Sequence, residues 1–207
     1  MVLSPIEAVF SMIIFDFFGI LPMVPRALKD AKVPDVLRLG VGMILTTPLG
    51  LLALYFMSQS SFKFLASGMI LFLLTLLIFG VRYRGELTNR LIYITGALGG
   101  FLGGSTGMPG PPVILIYMAS RSAPRIIRAN LFLYATLGDV LIFTLCLLSF
   151  TIAPLIFLLG IIAVIPFALG VGLGAKIFNP ERELIYRSVA YVVIGLSAIY
   201  GLPIWTF

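Results

Sequence analysis

The sequence predicts an all-α, polytopic membrane protein of about six to seven apolar segments, one of them broken by glycine and proline. Three observations lead there. Hydrophobic residues make up 60% of the 207 residues and charged residues only 11%. A soluble domain carries about 25% charged residues. The mean hydropathy is +1.15, and the apolar residues gather in runs near the ~20 residues that cross a bilayer as a helix.

Taken in order, segment one is Ile6 to Val24. Ser4-Pro5-Ile6-Glu7 opens it, with Ser4 as N-cap, Pro5 in the first helical position and Glu7 closing a capping box. Segment two is Val36 to Met57, where Thr46-Thr47-Pro48 threatens a kink, and segment three is Phe64 to Val81. Segment four, Leu91 to Met118, contains the break. Segments five, six and seven are Ala129 to Phe150, Ile152 to Ala175 and Leu184 to Pro203. Pro166 should bend segment six. Trp205 and Phe207 then fall where an interfacial aromatic belt lies.

The break is Gly99-Gly100-Phe101-Leu102-Gly103-Gly104-Ser105-Thr106-Gly107-Met108-Pro109-Gly110-Pro111-Pro112. Proline lacks the N–H a helix needs, and glycine is penalised in a helix interior. Irregular backbone survives at membrane depth only inside protein or beside a wet cavity. Transporters use such breaks to aim helix ends at a substrate near the midplane. A glycine-rich packing seam is the plainer alternative.

Basic residues indicate how segment four is placed. Arg26, Lys29, Lys32 and Arg38 follow segment one, and Lys63 alone follows segment two. Arg82, Arg84 and Arg90 follow segment three, and Arg121, Arg125 and Arg128 follow the break. None follows segment five; Lys176, Arg182 and Arg187 follow segment six. If segment four spans, the two sides hold seven each. If it dips in and returns, thirteen lie on one side and one on the other, the bias that marks the cytoplasmic face. The halves, read as roughly 12 and 8 residues, reach about 18 and 12 Å as helix, too short to span alone. The expectation is six spans plus one re-entrant hairpin from the cytoplasm, both chain ends outside. A single discontinuous spanning helix is the alternative.

A weak repeat near 120 residues divides the chain into 1–90 and 91–207. Leu39-Gly40 and Leu49-Gly50 match Leu159-Gly160 and Leu169-Gly170. Ile78-Phe79-Gly80 matches Ile199-Tyr200-Gly201, and segments one and five each carry one acid, Asp16 and Asp139. The first repeat holds three transmembrane helices, and the second holds the broken helix 91–120 plus three more. A hairpin and three spans per half would make the repeats inverted. The counterpart of the break would then lie before Met1, so the first repeat lacks its N-terminal element.

The run Gly100 to Val113 resembles the second-repeat motif of the sulfite exporter TauE/SafE family. The spacing to Arg128-Ala129 and the glycines of segment six are also similar. The resemblance implies a multi-pass carrier in the cytoplasmic (inner) membrane for small sulfur-containing anions, such as sulfite or organosulfonates. Family members carry a first glycine-rich motif that this chain starts after.

An oxyanion in low dielectric needs donors. The expected substrate-binding set is Gly103, Gly104, Ser105, Thr106, Gly107, Gly110, Pro111 and Pro112: amides near Gly103 to Gly107, two hydroxyls, and the N-terminus of the half-helix after the prolines. Arg128 is the candidate to attract anions from the cytoplasm. An ordinary loop anchor is its other reading. Asp16 and Asp139 are costly mid-membrane acids, so they are candidates to couple transport to protons; a structural hydrogen-bonding role is the alternative. Tyr117, Asn130 and Tyr134 could line a path or simply pack.

No catalytic residues are expected. There is no His, and the single Cys146 lies in an apolar span, which leaves no Ser-His-Asp triad and no Cys/His metal site. No Gly-Lys-Ser/Thr follows the glycine run, so it is no nucleotide loop. No cofactor and no metal are implied. The net charge of +6 sits in short loops, which argues against nucleic acid. The expected partners are a small anion and the lipid bilayer, with a homo-oligomer open. The leading function is a secondary transporter, an exporter. A passive anion channel, or a non-transporting subunit needing a partner, is the alternative.

Overall fold

The computed structural model describes residues 3–79, 87–117, 120, 122–177 and 183–203. Arg82, Arg84, Arg121 and Arg182 of the charge count, Gly80 of the repeat, and Trp205 and Phe207 lie outside them. Every regular element described is a helix. Helix α1 is Pro5–Ile20, followed by a 3-10 turn at Leu21–Met23 and a short α2, Val24–Asp30. Then come α3 (Val33–Phe56), α4 (Gln59–Ile78), α5 (Asn89–Thr106) and α6 (Gly110–Tyr117). Helices α7 (Pro124–Ser149), α8 (Pro154–Ile177) and α9 (Glu183–Gly201) complete the chain. Four stretches are long and apolar enough to cross a membrane: Pro5–Asp30, Val33–Phe56, Gln59–Leu76 and Arg125–Ser149. Pro154–Gly170 and Tyr191–Gly201 are shorter apolar helices.

The local signal at the start of α1 acts as expected. The Ser4 amide donates to Glu7 Oε2 at 2.8 Å and the Glu7 amide to Ser4 Oγ at 3.3 Å, forming the capping box. At Pro48 the α-helix continues. Pro48 leaves the Ile44 carbonyl without its usual amide partner. The neighbouring carbonyls are served from the side: Thr46 Oγ1 donates to Gly42 O (3.1 Å) and Thr47 Oγ1 to Met43 O (2.8 Å).

Helices α3 and α5 form the tightest seam and run parallel. A β-carbon placed on Gly42 would strike the Tyr93 carbonyl, and one on Gly50 would strike the Phe101 carbonyl. From the other side, Gly96 meets the Leu39 backbone, Gly100 that of Met43 and Gly104 that of Thr47. Small residues let two backbones touch, which is how helices gain contact where lipid supplies no hydrophobic drive. Thr46 Oγ1 also donates across the seam to Ala97 O at 2.6 Å.

Two ends of the bundle can be told apart. At one, Arg125 pairs with Asp30 at 2.6 Å and the Lys32 amide donates to Asn130 Oδ1 at 2.8 Å. This end holds the start of α3 and of α7, and the basic residues Arg26, Arg38 and Arg128 lie near it in sequence. At the other, Gln59 Nε2 donates to Leu3 O at 2.7 Å and Tyr55 stacks on Phe150 with centroids 5.6 Å apart. Helix α8 runs parallel to α1, with Gly160 against Ile14 and Phe167 against Gly19 and Phe15. Helix α9 returns antiparallel to α4, with Gly201 near Ser67 and Gly195 near Leu74. Among α1, α3, α7 and α8 the core packs Phe10, Ile13, Leu54, Ile142, Cys146 and Ile156. Cys146 is thus a packing residue, fully covered.

Candidate functional site

The broken segment is built differently from the expectation. Residues 99–106 are helical, so the break is short and late, at Gly107–Pro109, and the halves are 18 and 8 residues long. The reason lies in the seam. Gly96, Gly100 and Gly104 give α5 a bare face against α3, and that packing offsets a penalty of about 1 kcal/mol per glycine. The packing-seam reading therefore describes Gly100 and Gly104, while Gly99 and Gly103 lie against Pro109.

Gly107 ends α5 at φ +76°, with its amide bonded to Gly103 O at 2.8 Å. Glycine is the residue that takes this left-handed cap without strain. Pro109 then folds the chain back. Its carbonyl lies over Gly99, its ring faces Gly103, and its Cγ lies beside Gly138 of α7. Helix α6 continues back along α5, since Val113 and Tyr117 pack with Ile92, Leu39 and Tyr134. At its end, Tyr117 Oη accepts from Asn130 Nδ2 at 3.1 Å. Asn130 also holds the Lys32 amide at the α3 start. Both ends of the hairpin therefore lie toward the Asp30–Arg125 end of the bundle.

Most groups of the expected donor set already have a partner within the fold. The amides of Gly103 to Thr106 are spent inside α5, and that of Gly107 is spent on Gly103. Ser105 and Thr106 are buried, and both hydroxyls donate to Leu102 O, at 3.3 and 2.8 Å. Pro109, Pro111 and Pro112 carry no N–H, so Gly110 holds the one amide hydrogen at the start of α6. The prolines let a helix begin in a buried place with few unpaired donors. Outside helices, the Met108 and Gly110 amides find no acceptor among the described residues.

Arg128 lines a cavity of about 520 Å³ with Arg26, Arg125, Asp30, Ala129 and Phe132. Arg125 is held by Asp30, whereas Arg26 and Arg128 form no ion pair among the described residues. Sequence reading singled out Arg128 alone; the i, i+3 spacing of Arg125 and Arg128 on one helix face would have paired them. It also passed over Asp35. That carboxylate is buried and takes Arg38 at 2.9 Å and Lys32 at 3.1 Å. Tyr117, Asn130 and Tyr134 are all buried and bonded into the fold, the Tyr134 hydroxyl donating to Gly96 O at 3.2 Å.

Asp16 lies on α1 and Asp139 on α7, and these two helices pack against each other. Asp139 is 4% exposed, and its Oδ2 has no hydrogen-bond partner among the described residues. It lines a second cavity, of about 370 Å³, walled by α1, α7 and α8. The described residues hold no group of three or more His, Cys, Asp or Glu side chains placed for a metal ion.

Compared with known proteins, no curated protein and no solved structure matches the chain. A family model does, over residues 1–201. That covers nearly all of the sequence, including both cavities and the hairpin. The chain belongs to the sulfite exporter TauE/SafE family.

Proposed function

We propose that this protein is a secondary transporter that exports small sulfur-containing anions, such as sulfite or organosulfonates, across the cytoplasmic membrane. Family membership over residues 1–201 carries the reading. The hairpin of α5 and α6 supports it, because a Gly/Pro break packed among α1, α3 and α7 is the device carriers place at mid-depth. In this reading the hairpin is re-entrant, six helices span, and the Asp30–Arg125 end faces the cytoplasm. The anion enters past Arg26 and Arg128, which raise its local concentration. It is then bound at the break by the Met108 and Gly110 amides and by Ser105 and Thr106, whose hydroxyls must turn from Leu102 O to donate. Gly103, Gly104 and Gly107 shape the approach, and Pro111 and Pro112 leave Gly110 as the lone amide there. Asp16 and Asp139 are the coupling acids.

An inverted repeat is supported by matched packing. Gly40 of α3 meets Leu137 of α7, and Gly160 of α8 meets Ile14 of α1. Each pair joins a repeat-matched glycine to the acid-bearing helix of the other half. One observation favours a second reading, a subunit completed by another chain. Gly50 is covered by α5, whereas its repeat match Gly170 meets nothing within 4 Å among the described residues.

Sulfite efflux from cells expressing the full chain tests the proposal. The expected result is efflux above vector cells, reduced at least fivefold by Ser105→Ala with Thr106→Ala at equal expression. Unchanged efflux in the double variant would remove the hydroxyls from the site. Absence of efflux unless another membrane protein is supplied would favour the subunit reading.

A further inference from the structure

The cavity between α2 and α7 is graded from charge to hydrocarbon. The Asp30–Arg125 ion pair joins the end of α2 to the start of α7 and fixes their register. The two helices run in opposite directions from that pair. One turn inward stand Arg26 on α2 and Arg128 on α7, and one turn further stand Met23 and Phe132. The seven-residue step from the ion pair to Met23 or Phe132 is about 10 Å of helix. Ala27 and Ala129 also line the cavity, and both are buried in a cluster with Val36 and Leu133. Their small side chains let the helices pack while leaving a space of about 520 Å³.

That gradient selects the occupant. A small free oxyanion matches the arginines but gains nothing from Met23 and Phe132. A wholly apolar molecule packs on those two and leaves the arginines unanswered. A phosphate carrying hydrocarbon suits both levels. Guanidinium groups grip phosphate oxygens through paired N–H donors, and basic pockets between membrane helices suit anionic headgroups. Leu21 and Leu28, in the same stretch as Arg26, are 44% and 56% exposed, on the surface a bilayer would cover. Three arginines against one aspartate leave the lining with an excess of two positive charges. One phosphodiester takes one of them, so the cavity still draws anions with a phospholipid in place.

We propose that this cavity binds an anionic phospholipid, its phosphodiester on Arg26 and Arg128 and its upper acyl chain along Met23 and Phe132. The assignment needs no particular transported anion. Scintillation proximity on the immobilised full chain in detergent tests it, with labelled dioleoyl phosphatidylglycerol as probe. Unlabelled phosphatidylglycerol should displace the probe at a concentration at least tenfold below that of phosphatidylcholine with the same chains. Sodium phosphate at the probe's concentration should leave it bound. Arg26→Gln with Arg128→Gln should weaken probe binding at least fivefold, whereas Arg90→Gln, which removes a cation outside the cavity, should retain it. Equal displacement by phosphatidylcholine would overturn the proposal and leave an apolar slot. Displacement by sodium phosphate would overturn it in favour of a small-anion site, and equal loss in Arg90→Gln in favour of diffuse surface charge. The order of competitors on the unaltered protein decides the matter even if a variant fails to fold. Sulfite efflux measured in parallel keeps this outcome apart from that of the transport reading.

Discussion

Helices α3 and α8 both carry several glycines, yet the surroundings of those glycines differ. In α3, Gly42 and Gly50 press on the backbone of α5, and Leu39 and Met43 beside them are buried. In α8, Gly160 presses on Ile14, but Gly170 meets nothing within 4 Å among the described residues, and Leu169 beside it is 61% exposed. A small residue permits close approach; a neighbour must be present to use it. The contrast also separates two roles of glycine within α5. Gly96, Gly100 and Gly104 are small for packing, whereas Gly107 is glycine for its backbone angle.

Substitution should expose the contrast most sharply. Gly50→Leu must push α5 away or fail, because its β-carbon alone collides with the Phe101 carbonyl. Overpacking costs about 1–3 kcal/mol, and more where backbone blocks backbone. The expected result is loss of folded, membrane-inserted protein in detergent size-exclusion and thermal melting. Gly170→Leu should melt like the parent. Equal damage at both positions would mean that α8 has a covering partner after all.

A smaller effect is expected at the break. Gly107→Ala places a β-carbon on a φ of +76°, a strain of roughly 1–2 kcal/mol. Melting should fall modestly, with larger loss for Gly107→Val. No change for either would show that the cap is not held in this conformation. Labelling tests where the hairpin ends lie. In a Cys146→Ser background, Asn89→Cys and Ser122→Cys should both react from the cytoplasmic face. Labelling from opposite faces would make α5 and α6 one discontinuous span. The smallest effect belongs to Arg128→Ala. It should raise the KM for sulfite about threefold at low salt with kcat unchanged, and less in high salt, as screening predicts.

Much of the architecture was legible because membrane helices announce themselves by length and apolarity. The capping box at Ser4 and Glu7 and the interruption of the helix around Pro109 follow local rules. The site was less legible. Local propensity makes Gly99 to Thr106 a break, and only the seam with α3, a tertiary contact, makes it helix. The amides of Gly103 to Thr106 are engaged within α5 for the same reason. Asp35 was passed over although Lys32, Asp35 and Arg38 stand three apart, because a charged cluster at a helix start resembles a solvated loop. That Asp139 would share a cavity wall with phenylalanines from three helices depends on packing between distant segments, which no local pattern carries.

The most direct measurement is sulfite counterflow in proteoliposomes containing the purified full chain alone. Vesicles loaded with unlabelled sulfite should transiently accumulate labelled sulfite above its outside concentration, as an exchanging carrier does, and Ser105→Ala with Thr106→Ala should weaken the overshoot. Labelled sulfite that merely equilibrates without an overshoot, or that does not enter, would contradict a carrier centred on the α5–α6 hairpin.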